Sequence, residues 1–346
     1  MNTAQRFSYP HQSIQSIGSL ANALQVSEKV LRDTAAEANN LYIGPIMLKK
    51  RDGSPRPVYD TKPRLKFLLK KINHVFFNKI RYPDFLKGSL KNQTHVKNAA
   101  AHSGCKTLIQ EDIRKYYDNI TSEHVRAIWK DLFKFSDEVT EILTLLVTKN
   151  GFVQQGSPTS SYIANLVFFK HEPRLHQYLS ELNISYTRYI DDIALSSKEV
   201  IPKENITIAL NKVIGMIKGY GLTPHPEKRS ITPNKKNKIQ TVTGLNVSRK
   251  SMPSIPKSER ANIRAHLHHL SKIDLDAVDI KKVIKDASSV SGRMALLKHL
   301  HPKEHQRLRA QFLEVLGRIA SRVPVSYVTT SHAQTIVFEE DGSSPF

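Results

Sequence analysis

The chain has one cysteine, Cys105, and one tryptophan among its 346 residues. A single thiol excludes an internal disulfide and any zinc knuckle or ribbon built on paired cysteines. Acidic residues are scarce beside basic ones, with 31 Asp and Glu against 52 Lys and Arg and a formal charge of +21. Long apolar runs are missing too. The strongest, from Ala164 to Phe169, stops at Lys170, well short of the ~20 residues a membrane helix needs. The first ten residues lack the basic-then-apolar order of a secretory signal. These absences point to a cytoplasmic protein with no membrane partner. The excess of positive charge asks for a partner made of phosphates, because each neutralised phosphate releases counterions. A content of 39% hydrophobic and 24% charged residues is globular. The length allows one large domain or two to three small ones.

Near the N-terminus, Leu20, Leu24, Val30 and Leu31 recur at helical spacing, with Ser27 as an N-cap. Two short helices are predicted, as a packing element rather than as a DNA-reading helix-turn-helix. Residues 41–60 read as strand, turn and strand about Asp52-Gly53, with Lys49, Lys50, Arg51 and Arg56 at the tip. The helix after it puts Leu65, Leu68, Leu69, Ile72 and Phe76 on one face, ringed by Lys62, Arg64, Lys66, Lys70 and Lys71. A basic hairpin beside a basic helix suits phosphate contacts. Between 105 and 250 short strands and helices alternate, an α+β pattern. Residues 107–113 and 187–197 read as strands interrupted by carboxylates, and 122–135, 160–179 and 206–221 as helices. Residues 257–321 turn helical and basic, and the tail after Pro324 ends acidic.

The interrupted strands carry the chemistry. Asp191 and Asp192 are flanked by Ile190 and Ile193. Neighbours along a strand point to opposite faces, so these two share a face only at a turn, and a hairpin tip supplies one. Asp112 ends a second apolar strand, and strands side by side would bring it to Asp191. Crowded carboxylates repel unless a cation joins them. With no Cys or His pair nearby, hard Mg²⁺ is favoured, with Mn²⁺ as the alternative. Two such ions suit in-line attack of a hydroxyl on a nucleotide phosphate. Solvated turn aspartates are the bland alternative, and an Asp-Asp pair alone does not decide between them.

The pair does not stand alone. Residues 112–120 (DIRKYYDNI), 155–166 (QGSPTSSYIANL) and 189–192 (YIDD) occur in the order of a reverse-transcriptase palm. Together with RPVYDTKPRLKFLLKKI upstream and HPEKRSI and VTGLNVS downstream, they make the chain resemble that family over about residues 40–320. The resemblance implies a right-hand polymerase with fingers, a palm bearing an antiparallel sheet, and a helical thumb. Its expected parts are an N-terminal helical segment of the fingers at 1–40, fingers at 41–104, palm with an interleaved fingers segment at 105–250, thumb at 251–323 and a tail at 324–346. It implies that Asp112 and Asp191 bridge two Mg²⁺ ions and that Asp192 completes the acidic cluster. Tyr117 falls at the sugar-discriminating position, where a ring against C2′ leaves no room for a ribose hydroxyl, which favours DNA synthesis from dNTPs. Gln155 and Gly156 fall at the incoming nucleotide, with Pro158 shaping the turn. Lys228 falls near the triphosphate, and Lys62 and Arg64 are fingers contacts to it. Ser161 stands where the family carries a proline.

Asn98-Ala-Ala-Ala-His102 and Val242-Thr-Gly244 resemble two marker elements of bacterial retron reverse transcriptases. That likeness implies a cognate structured non-coding RNA as template and primer, held through Asn98, His102 and Thr243. It implies a start from an RNA 2′-hydroxyl, an RNA-linked DNA product (msDNA), and phage defence with a separate effector protein. The roughly one hundred residues after Gly244 fit a thumb without an RNase H domain, which assigns template removal to host RNase H. His266, His268 and His269 read as nucleic-acid contacts of the thumb, since only His266 and His269 share a helix face. The alternatives are another bacterial reverse transcriptase, group II intron-like or defence-associated, and a non-catalytic RNA-binding protein of the same fold. The three aspartates speak against the second.

Overall fold

Ser16 and Ser27 open the first two helices, α1 (Ile17–Leu24) and α2 (Glu28–Ala36), each side chain accepting from a first-turn amide, Ser19 N and Val30 N. Leu20, Leu24 and Leu31 are fully buried, while Val30 faces out. The computed structural model describes residues 6–49, 53–233, 238–249 and 252–322. Lys50, Arg51 and Asp52 of the expected hairpin tip, and the tail at 324–346, lie outside the described residues. The chain divides into two units, Met1–Thr243 and Gly244–Phe346.

In the first unit, β1 (Tyr42–Lys49) and β2 (Pro55–Thr61) form an antiparallel ribbon. Then come α3 (Pro63–Val75), opened by a proline whose missing N–H costs nothing at that position, and α4 (His95–Ala100). β3 (Thr107–Asp112) is followed by α5 (Ser122–Ala127), α6 (Asp137–Val147), α7 (Ser160–Leu166) and α8 (Glu172–Glu181). β4 (Ser185–Tyr189), β5 (Asp192–Ser197), α9 (Lys203–Gly219) and β6 (Ser230–Pro233) complete the set needed for the site. The central sheet has the order β4-β5-β3-β6, and every neighbouring pair is antiparallel. Ile109 of β3 and Ile193 and Leu195 of β5 are buried in its core. Beyond the sheet, Phe76, Phe77, Trp129, Phe133 and Phe135 pack edge-on and stacked, with Phe77 and Trp129 centroids 5.0 Å apart. Such rings contribute roughly 0.5–1.5 kcal/mol per pair beyond their buried area.

The expected single helix over 160–179 is two helices, α7 and α8. Pro173 sits in the first turn of α8. It has no N–H to give and its ring would clash with the carbonyl four residues back, so the helix cannot run through.

In the second unit, α10 (Lys257–Lys272), α11 (Ile280–Leu300) and α12 (Pro302–Ala320) each bury one stripe, including Leu267, Val290, Leu297 and Leu316. Arg318 of α12 caps the end of α10, donating to Ser271 O at 2.6 Å and to Ile273 O at 2.9 Å. Among the described residues, no helix is long and apolar enough to cross a membrane.

Candidate active site

The turn between β4 and β5 consists of Ile190 and Asp191. Ile190 has φ +62°, a left-handed value that is strained for a β-branched residue. The β3–β5 register sets Asp192 directly opposite Asp112, and Ile113 N donates to Asp191 O at 3.2 Å. The sheet thus gathers Asp112, Asp191 and Asp192 at one end, as expected of a hairpin tip beside a second strand. Burial, then the charges of Asp191 and Asp112, push the Asp192 carboxyl up to about 7. Burial, reinforced by Asp112, also raises Asp191. Lys228 supplies the local counter-charge, its Nζ 3.0 and 3.1 Å from the two Asp112 oxygens. His225 N, donating to Asp112 O at 2.8 Å, holds the 3-10 turn Pro226–Lys228 in place. Burial works against the Lys228 charge, yet its hydrogen bond to Asp112 and the three carboxylates outweigh that and raise its pKa.

The donor set fits a hard divalent cation: three carboxylates, no thiol among them, with burial first and mutual repulsion second holding the Asp192 carboxyl above its usual range. Among the described residues, no three His, Cys, Asp or Glu side chains stand together as a ready cation cage.

Tyr117 lies in a 3-10 turn five residues after Asp112 and is half-buried. Burial, then the Asp191 charge, push its hydroxyl up to about 12. Its neighbour Tyr116 anchors the turn, donating to Ala164 O at 2.7 Å and stacking on Phe168. Gln155 O accepts from Tyr59 N of β2 at 2.7 Å. Gly156 has φ +100°, and a Cβ there would sit 2.6 Å from Tyr59 O, so only glycine lets the loop approach β2 so closely. Pro158 O accepts from Asn73 Nδ2 of α3 at 2.8 Å. Ser161 in place of the family proline does not displace the helix, which begins at Ser160.

Arg56 of β2, read from sequence only as a tip charge, belongs to this group. Its Nε donates to Gln155 Oε1 at 3.0 Å, and its charge bears on Asp191 and Tyr117. Its position within the RPVYD block was the available signal. Arg64 leaves the group: its guanidinium donates to Thr34 Oγ1 at 2.7 Å and to Glu37 at 3.2 Å, tying α3 to α2. Lys62 is exposed just before α3.

Asn98 and His102 are buried, at 1% and 0% exposure. The His102 ring lies 2.7 Å from both Ser196 Oγ of β5 and Thr187 Oγ1 of β4. Thr187 donates to Asn98 Oδ1 at 2.6 Å, so it accepts from His102 Nε2–H, and His102 Nδ1 accepts from Ser196. Burial, then Lys198 and Lys87, lower the His102 pKa to about 4 and keep it neutral. The expectation of direct RNA contact by these two side chains is therefore corrected: they join α4 to the strands that carry the catalytic turn. Thr243 is half-exposed, with φ +45°, and donates to His95 O at 2.9 Å. In the second unit, Arg293 Nη1 lies 3.0 Å from His266 Nδ1, and His268 and His269 are exposed.

Residues 48–276 match the profile of the family described as reverse transcriptase (RNA-dependent DNA polymerase). The chain is 33% identical over 304 residues to the Retron Se72 reverse transcriptase of Salmonella heidelberg (strain 579083-10), covering 88% of this chain and 80% of that one. It is 31% identical over 281 residues to the Retron Ec48 reverse transcriptase of Escherichia coli, covering 78% and 68%. With the Retron Ec86 reverse transcriptase of Escherichia coli it shares 24% over 291 residues, covering 84% and 86%. The chain belongs to the reverse-transcriptase family, and within it to the retron reverse transcriptases. Its activity is RNA-directed DNA polymerisation, on a right-hand polymerase fold.

Proposed function

We propose that this polymerase copies a dedicated structured RNA that also supplies the priming 2′-hydroxyl, leaving single-stranded DNA joined to RNA. The observation that carries the catalytic part is the gathering of Asp112, Asp191 and Asp192 at one end of the sheet beside Lys228. The priming mode, phage defence with a separate effector, and host RNase H as the remover of template rest on kinship with retron enzymes. In this reading residues 1–104 are fingers, 105–250 palm, and the helices from 251 thumb.

Asp112, Asp191 and Asp192 would hold two Mg²⁺ ions, which when bound lower the pKa of the attacking hydroxyl and neutralise the leaving pyrophosphate. The chain's own groups do the rest. Lys228 and Arg56, with Lys62, present positive charge to the triphosphate. Gln155 and Gly156 bed the incoming nucleotide, and the Tyr117 ring excludes a ribose 2′-hydroxyl. Thr243 is the remaining candidate for RNA contact among the marker residues, whereas Asn98 and His102 act through the strands they hold. The test is to sequence the nucleic acid that copurifies with the protein. One structured RNA carrying attached DNA is expected, and a random RNA mixture without DNA would refute the reading.

A further inference from the structure

We propose that the buried pair Arg188–Glu172 is a positioning device that fixes the catalytic turn against the helix following the nucleotide loop. This rests on the reading of Asp191 and Asp192 as catalytic. Both side chains are fully buried. Arg188 Nε and Nη2 meet the two Glu172 oxygens at 2.6 and 2.7 Å, a bidentate fork. The remaining donors go to backbone carbonyls on two other elements. Nη1 donates to Ile190 O in the turn at 2.9 Å and to Ala164 O of α7 at 3.2 Å, and Nη2 to Asn165 O at 2.9 Å. Tyr186 donates to Glu172 Oε1 at 2.6 Å, and the guanidinium lies 5.2 Å from the Phe168 ring centroid. The turn is also met from another side. Asn165 Nδ2 donates to Gly88 O at 2.8 Å, and a Cβ on Gly88 would sit 2.8 Å from Ile190 N.

Stability alone does not account for this arrangement. A buried ion pair roughly breaks even against well-packed apolar residues, because desolvation offsets the attraction. What apolar residues cannot do is reach three carbonyls from a planar fork while holding a β-branched residue at left-handed φ. Lysine has the charge without the fork. Arg188 therefore acts through Ile190 on the orientation of Asp191 and Asp192. Through Ala164 and Asn165 it references that orientation to α7, which follows the Gln155–Pro158 loop.

The experiment compares Arg188→Lys and the double variant Arg188→Met with Glu172→Leu against the wild type, measuring kcat and KM for dNTP on a primed RNA template, with thermal melting as the folding control. The expected result is a folded protein whose kcat falls about 100-fold while KM stays within about threefold, the cost of an ångström-scale misplacement. Arg188→Lys should recover more kcat than the double variant. A folded variant with wild-type kcat overturns the proposal, as does failure of both variants to fold, which would make the pair a folding requirement. An inactive wild type would overturn the catalytic reading as well, so the two failures are distinguishable.

Discussion

Two antiparallel strand pairs of the first unit, β4–β5 and β1–β2, are built on different plans. In the β4–β5 hairpin, Thr187 is held by Asn98 and His102, while Arg188, the next residue, is held by Glu172 and α7. Segment 85–87 covers the outer edge of β4, through Arg188 N to Phe85 O and Lys87 N to Arg188 O. In the β1–β2 ribbon, Tyr42 is the only buried residue of β1, and Ile43, Ile46, Met47 and Leu48 are exposed. The first hairpin is fixed by buried polar groups that have no other partners to choose. The second is tied at its β2 side to the Gln155–Gly156 loop, through Tyr59 N and Arg56, while the side chains of Ile43, Ile46, Met47 and Leu48 on β1 stay exposed. A polymerase needs both: a rigid place for the reacting atoms and a surface that follows a moving nucleic acid.

The comparison breaks most completely at the carboxylates. Asp191→Asn with Asp192→Asn should cut nucleotide incorporation at least ~1000-fold while RNA affinity at fixed salt stays within about twofold, since basic residues elsewhere hold the phosphates. Residual incorporation above a few per cent would remove these residues from the chemistry.

The buried side of the palm hairpin should show in acid. The His102 pKa is about 4 when folded, below the ~6.5 of an unfolded chain. The unfolded state therefore binds more protons between those values. The contribution is complete above pH ~6.5 and is lost as pH falls through about 4, about 3 kcal/mol in all. Urea midpoints at pH 7.5, 5.5 and 4 measure it, with His102→Gln expected to flatten the dependence. An unchanged slope in the variant would place the acid sensitivity elsewhere.

Tyr117→Ala should raise the ribonucleotide-to-deoxyribonucleotide ratio of kcat/KM about tenfold or more, the mark of specificity by exclusion. An unaltered ratio means the ring is not the gate. The smallest effect belongs to the ribbon: Met47→Ser should leave stability within about 0.5 kcal/mol, and a larger loss by thermal melting would show that β1 is packed rather than free.

Much of the palm was legible because its chemistry interrupts its pattern. Acids interrupt apolar stretches at Asp112, Asp191 and Asp192, and the segments 112–120 and 155–166 precede the Asp191–Asp192 pair in a fixed order. Arg188 was not legible. An arginine in a strand reads as a solvent-facing charge, and its burial depends on Glu172, on a helix that periodicity alone fuses with α7. The same blindness sent Asn98 and His102 to the surface, since the hydroxyls of Thr187 and Ser196 that satisfy them lie far along the chain. Arg64 reads in sequence only as part of a basic helix face, and its contacts to Thr34 of α2 and to Glu37 just after that helix were not legible there.

The most direct measurement incubates the protein with its copurified RNA, Mg²⁺ and labelled dNTPs, with no added primer, and asks whether the label stays on RNA until a 2′,5′-debranching treatment. DNA attached to RNA through a debranching-sensitive bond is the predicted result. Synthesis that begins only when an external 3′-end is supplied would contradict the account of initiation.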